Sequence, residues 1–133
     1  MNTFSGHISD IQVNESLSMV SVRINEQVEL KTIVVETPET ASYLKIENAV
    51  EVLFKETEVI ISTEDTLSIS IQNKIKATIK EVKKGVLLSK LLLNSEIGEM
   101  IAILATEVLD ELMLAENQEV TAMIKVNEIM ISR

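Results

Sequence analysis

Two lysines stand out as groups able to do chemistry, because each sits at the end of an apolar run and just before a polar corner. Lys55 lies in Val50–Ser62, VEVLFKETEVIIS, and Lys125 lies in Val120–Ser132, VTAMIKVNEIMIS. The two stretches are copies. Thr57 matches Asn127, Val59 matches Ile129 and Ile61 matches Ile131. A single ammonium at a strand end, followed by a short polar side chain, suits a small anion. It equally suits a solvated strand terminus, and composition alone leaves both readings open. The copy at half the chain length implies one small unit written twice.

The elements that position these lysines follow from the hydrophobic pattern. Ser5–Val13 is a strand with one bulge, and Leu17–Ile24 alternates apolar and polar residues with period two. Gln27–Val35 continues in β-branched residues, which suit a pleated surface. Thr37-Pro38-Glu39-Thr40 reads as a helix start, with a hydroxyl cap and proline at the first helical position, for a turn or two ending near Leu44. Val50–Lys55 and Val59–Ser62 close the copy as two strands. The second copy repeats the order. Lys74–Val82 is a strand, and Gly85 gives a turn of positive φ. Val86–Leu93 is a leucine-rich strand buried on both faces, and Met100–Leu104 is the third. A short helix over Glu107–Leu112 follows, capped by Thr106, and strands over Val120–Val126 and Ile129–Ser132 end the chain. The polar stretch Thr63–Ser68 reads as the linker. Five short strands with one helix between the third and fourth predict an all-β chain with short helices, built as two tandem OB-like five-stranded β-barrels over 1–64 and 67–133. Repeats this small are marginal alone, so strand exchange and further association are expected.

Composition narrows the function. The chain has 133 residues, 46% hydrophobic and only 2% aromatic, so the core is aliphatic. The net charge of −9 opposes nucleic-acid backbones, and the absence of Trp removes a base-stacking platform. There is no cysteine, hence no disulfide framework and no thiolate metal site. One histidine with no partner at ligand spacing predicts no cation site and no nucleophile–base pair, so no catalysis is expected. No leader or membrane-length apolar run is visible, which places the protein in the cytoplasm with no membrane partner.

The second copy resembles the Mop, or TOBE, domain family. The resemblance rests on Ser70-Ile71-Gln72-Asn73-Lys74-Ile75-Lys76-Ala77, Lys83-Lys84-Gly85-Val86, Ala102-Ile103-Leu104, Glu111-Leu112-Met113-Leu114 and Val120-Thr121-Ala122-Met123-Ile124-Lys125. The first copy is similar from Asn2-Thr3-Phe4-Ser5-Gly6 to Lys55-Glu56-Thr57, so the chain resembles a stand-alone tandem Mop protein. The resemblance implies binding of molybdate or tungstate at repeat and subunit interfaces of a homo-oligomer, for buffering or storage, with no organic cofactor.

Carried over by position, the implied oxyanion set is Lys125, Asn127, Ser70, Gln72 and Asn73, with Thr37, Thr40, Lys55 and Thr57 from the first copy. Gln72 stands where the family has arginine, and Ala105 and Val108 stand where it has the hydroxyls that Thr37 and Thr40 keep. Exchanging a charge-assisted bond for a neutral one weakens a site by about one order of magnitude. The split donors imply composite sites, with Thr37 and Thr40 facing Ser70, Gln72, Lys125 and Asn127. The alternative is a degenerate TOBE-type oligomerisation or regulatory module that no longer binds the anion.

Overall fold

A computed structural model describes residues 1–65 and 68–133. The expected linker therefore falls partly outside the described residues. The first half forms β1 (Asn2–Asn14), β2 (Leu17–Arg23), β3 (Glu29–Val34), β4 (Ala49–Phe54) and β5 (Ile60–Ser62). The second forms β6 (Asn73–Lys83), β7 (Leu88–Ser95), β8 (Gly98–Ala105), α1 (Thr106–Glu111), β9 (Glu119–Ile124) and β10 (Met130–Ser132). A 3-10 turn precedes the last strand of each half, at Glu56–Glu58 and Val126–Glu128.

Two five-stranded sheets result, ordered β10-β4-β1-β2-β3 and β5-β9-β6-β7-β8. The last strand of each half has left its own sheet. Met130 pairs with Leu53 in the first sheet, and Ile60 pairs with Met123 in the second. The exchange follows from the corner that starts each strand. The 3-10 turn carries the chain across to the other sheet, where Val59 and Ile129, just before the two strands, are buried and Ile61 and Ile131 are half-buried. The sheets do not close into barrels by hydrogen bonding, because β3 and β10 remain the edges of one and β8 and β5 of the other. The bulge expected in the first strand lies between Ile8 and Asp10, and β6 repeats it between Ile79 and Glu81.

The inward faces of both sheets merge into one aliphatic core. Val20, Val22, Leu30 and Val52 of the first half join Ile75, Ile79, Leu91 and Leu93 of the second. Phe4 and Phe54 stack with ring centroids 5.8 Å apart, adding an aromatic contact to burial.

Several local expectations are corrected. Thr37–Thr40 forms no helix. It makes one turn, in which the Ala41 amide donates to the Thr37 carbonyl at 2.8 Å and the chain then leaves into further turns. Ala41, Tyr43 and Leu44 are all buried, and residues two apart such as 41 and 43 would lie on nearly opposite faces of a helix. Thr106 is the first residue of α1 rather than its cap, and its buried hydroxyl meets Ser89 Oγ at 2.7 Å and donates to the Gly85 carbonyl at 3.0 Å. Gly85 is required for closeness, not for positive φ: a Cβ there would stand 2.1 Å from the Leu88 carbonyl oxygen. Val86 and Leu87 precede β7 and are 93% and 80% exposed, so the leucine-rich stretch is buried only through Leu91 and Leu93. Of the four methionines in apolar elements expected in the core, Met100 and Met123 lie there, whereas Met113 is 80% and Met130 44% exposed.

Candidate functional site

Each lysine corner has the same backbone. Lys55 and Lys125 are extended, at φ −71° and ψ 146° and at φ −68° and ψ 149°. In each, the lysine carbonyl accepts the amide three residues on, from Glu58 or Glu128, at 3.0 Å. This closes the 3-10 turn and points the residues between outward. Lys55, Thr57, Lys125 and Asn127 are all exposed. Neither lysine makes an ion pair within 4.0 Å among the described residues, although the chain carries 21 acidic groups to 12 basic ones. Two unneutralised ammonium groups therefore stand at pseudo-equivalent points.

The corners are held by the opposite half. The Lys55–Glu58 corner packs on β8, and the Lys125–Glu128 corner packs on β3. Asn2 and Asn73, one at the start of each repeat, brace those same strands. The Asn73 carboxamide accepts from the Lys31 amide at 2.7 Å and donates to the Lys31 carbonyl at 2.8 Å. Asn2 does the same to Ile101, at 2.8 Å and 2.9 Å. Both asparagines are buried, 6% and 2% exposed. A buried carboxamide with both ends paired is a strut, with its oxygen and one of its two N–H groups committed to the fold. The buried Thr32 hydroxyl adds a bond to the Ile129 carbonyl beneath the second corner.

The strand register brings part of the expected set together. Asn73 pairs with Ile124, immediately before Lys125, so Ser70, Gln72 and Asn73 lead into the strand beside that lysine. Ser70 and Gln72 are exposed. Asn2 pairs with Phe54, immediately before Lys55, in the same way. Thr37 and Thr40 are not brought to either corner by any pairing or hydrogen bond among the described residues. They satisfy one another: Thr40 Oγ1 accepts from the Thr37 amide at 2.9 Å and donates to the Thr37 carbonyl at 3.2 Å.

Sequence reading missed the charges around β3. Lys31 Nζ donates to Ser21 Oγ at 2.9 Å and lies 3.9 Å from Glu29. Glu29 also accepts from Ser9 Oγ at 2.7 Å and from Arg23 at 3.0 Å. The Ser9 hydrogen bond, then Arg23 and Lys31, hold the Glu29 carboxyl below its ordinary range against the opposing effect of burial. Period-two alternation places these residues on one face, but only the sheet register shows that they meet. At the end of the first sheet, Arg133 stacks its guanidinium over the Tyr43 ring at 4.5 Å, and the Tyr43 hydroxyl donates to Glu36 at 2.6 Å. Burial foremost, with that Glu36 hydrogen bond, pushes the Tyr43 phenol up to about 12.

No group of three or more His, Cys, Asp or Glu side chains is arranged to hold a metal ion among the described residues. No helix there is long and apolar enough to cross a membrane.

These features define a tandem all-β protein whose two repeats exchange their last strands and carry matching lysine corners. Residues 69–131 match the model of the TOBE domain, so the second repeat belongs to the TOBE family, and the first repeat has the same order of strands. A crystal structure of the cytoplasmic molybdate-binding protein ModG, in a form with molybdate bound, matches over 98% of this chain and 94% of that one, with a TM-score of 0.88 and 21% identity. A molybdate-binding protein from Sporomusa ovata is 32% identical over 44% of this chain and 88% of its own, with a TM-score of 0.43. No curated protein matches by sequence.

Proposed function

We propose that this protein binds molybdate or tungstate at its lysine corners, as an intracellular buffer or store, without catalysing a reaction. The observation that carries the reading is the pair of corners with matching backbone and unpaired exposed lysines, each seated on the other half's sheet. A tetrahedral oxyanion needs fixed cations and neutral donors, and the corners offer both. Lys125, Asn127, Ser70 and Gln72 act at one corner, with Asn73 as the strut that positions them. Lys55 and Thr57 act at the other. Thr37 and Thr40 contribute hydroxyls from a neighbouring copy in a homo-oligomer. The exposed Val86, Leu87 and Met113 supply apolar area for that association. The molybdate carried by the structurally similar ModG, described as cytoplasmic, supports the same ligand and compartment here.

The competing reading is an assembly or regulatory module that has lost the anion. Gln72 in place of arginine, and Ala105 and Val108 in place of hydroxyls, favour it. Isothermal titration with molybdate, tungstate and sulfate separates the two. Binding of the first two in preference to sulfate is expected. At 100 times the dissociation constant the ligand adds about 2.7 kcal/mol to stability, so the melt rises with it. Absence of heat from all three anions, with the oligomer intact, would sink the oxyanion reading.

A further inference from the structure

Lys83 of β6 and Lys90 of β7 are register partners on the outer face of the second sheet. Their Cβ atoms are therefore about 5 Å apart, and like charges so placed destabilise a sheet. Among the described residues neither makes an ion pair within 4.0 Å, while the nearby Lys80 and Lys84 reach Glu99 and Asp110 at 3.8 Å and 2.8 Å. Glu81 is the one carboxylate lining the cleft beside them, so two ammonium groups share a single counter-charge there and a net positive charge is left for an anion to balance. The two lysines line a cleft of about 110 Å³ with Glu81, Leu92 and Ile101. That volume suits one tetrahedral oxyanion and falls well below the ~300 Å³ at which organic ligand sites begin.

The cleft adjoins the Lys55 corner. Ile101 is the residue whose backbone Asn2 braces, on the strand that carries the corner. The Glu56 carboxyl lies below its ordinary range, chiefly through the amino terminus, and Lys90 is among the lesser causes. The first sheet lacks the feature: the corresponding register partners are Gln12 and Met19, which carry no charge.

We propose that Lys83 and Lys90 form a second anion subsite, distinct from the lysine corners and present only in the second repeat, that takes a compact dianionic oxyanion between two ammonium groups. The ligand class rests on the oxyanion reading above. Glu81 on the rim offsets one of the two charges, and Leu92 and Ile101 supply none of the neutral side-chain donors proposed at the corners, so this subsite is weaker than the corners and fills after them. The two repeats are consequently unequal in capacity despite their shared fold.

The test is isothermal titration of the full chain with molybdate at low ionic strength, with circular dichroism checking each variant's fold. Wild type is expected to show a tighter and a weaker class of sites. The variant Lys83→Gln/Lys90→Gln loses the weaker class and keeps the tighter one. Glu81→Gln tightens the weaker class several-fold. Lys84→Gln, whose lysine is already paired with Asp110, changes neither. An unchanged weaker class in the double variant overturns the subsite, as does a wild type that binds no molybdate. If Lys125→Gln and Lys55→Gln leave the tighter class untouched, the corner reading fails while the paired-lysine subsite stands.

Discussion

The Asn73 carboxamide clasps the backbone of Lys31 from both sides, taking its amide hydrogen and giving one to its carbonyl. These residues lie in different repeats, and the clasp lies beneath the Lys125 corner. Replacing Asn73 with alanine leaves a buried N–H and C=O without partners. The expected loss is about 2–4 kcal/mol, read as a shift in urea midpoint. Asn2→Ala should lose a similar amount at Ile101, and a change under half a unit of kcal/mol, about 0.5, in both would show that the clasps are dispensable.

Strand exchange makes the halves interdependent. Chains covering residues 1–64 and 68–133 should each fail to melt cooperatively as monomers, because β10 and β5 belong to the other half's sheet. Mixed, they should elute as a one-to-one complex with β-sheet circular dichroism. A cooperative monomeric melt of either piece would contradict this.

Removing the ammonium at Lys125 should weaken molybdate binding about tenfold or more, since a charge-assisted bond becomes at best a neutral one. Lys125→Gln in isothermal titration reads the change directly, with stability unaltered because the side chain is exposed. Unaltered affinity would remove this lysine from the site.

Tyr43 is the only tyrosine and there is no tryptophan, so its ionisation is visible without interference. Its pKa is raised from 10.0 to about 12, by burial first and then by the Glu36 hydrogen bond. A raised folded pKa means stability that is complete below the unfolded value near 10 and lost as pH climbs through about 12. Ultraviolet titration should give a midpoint near 12, and Tyr43→Phe should flatten the alkaline loss of stability. A midpoint near 10 in the folded protein would refute the buried contact.

Gly85→Ala should destabilise by about 1–3 kcal/mol, because the new Cβ meets the Leu88 carbonyl oxygen and backbone must move. Thermal melts of this variant against Gly98→Ala separate crowding from positive φ, since Gly98 has φ 119° and a Cβ there would meet only an ordinary contact, Phe4 Cε1 at 3.7 Å. A milder effect at Gly85 than at Gly98 would show that the turn relaxes easily.

The sequence by itself determined the doubling, the strand order and the matching lysines. Alternation of period two is local, and the copy of Val50–Ser62 at Val120–Ser132 is a comparison of letters. The sequence could not decide where Thr37–Thr40 goes, because a capped turn reads alike whether or not an apolar stripe follows. It also could not show that the Asn73 carboxamide braces Lys31, because only a neighbouring strand reveals that contact. Tertiary structure alone decided which sheet receives β5 and β10, since three-residue strands carry the same apolar pattern on either partner. It likewise decided that Lys83 faces Lys90, because register between strands is a long-range relationship that no run of residues along one strand contains.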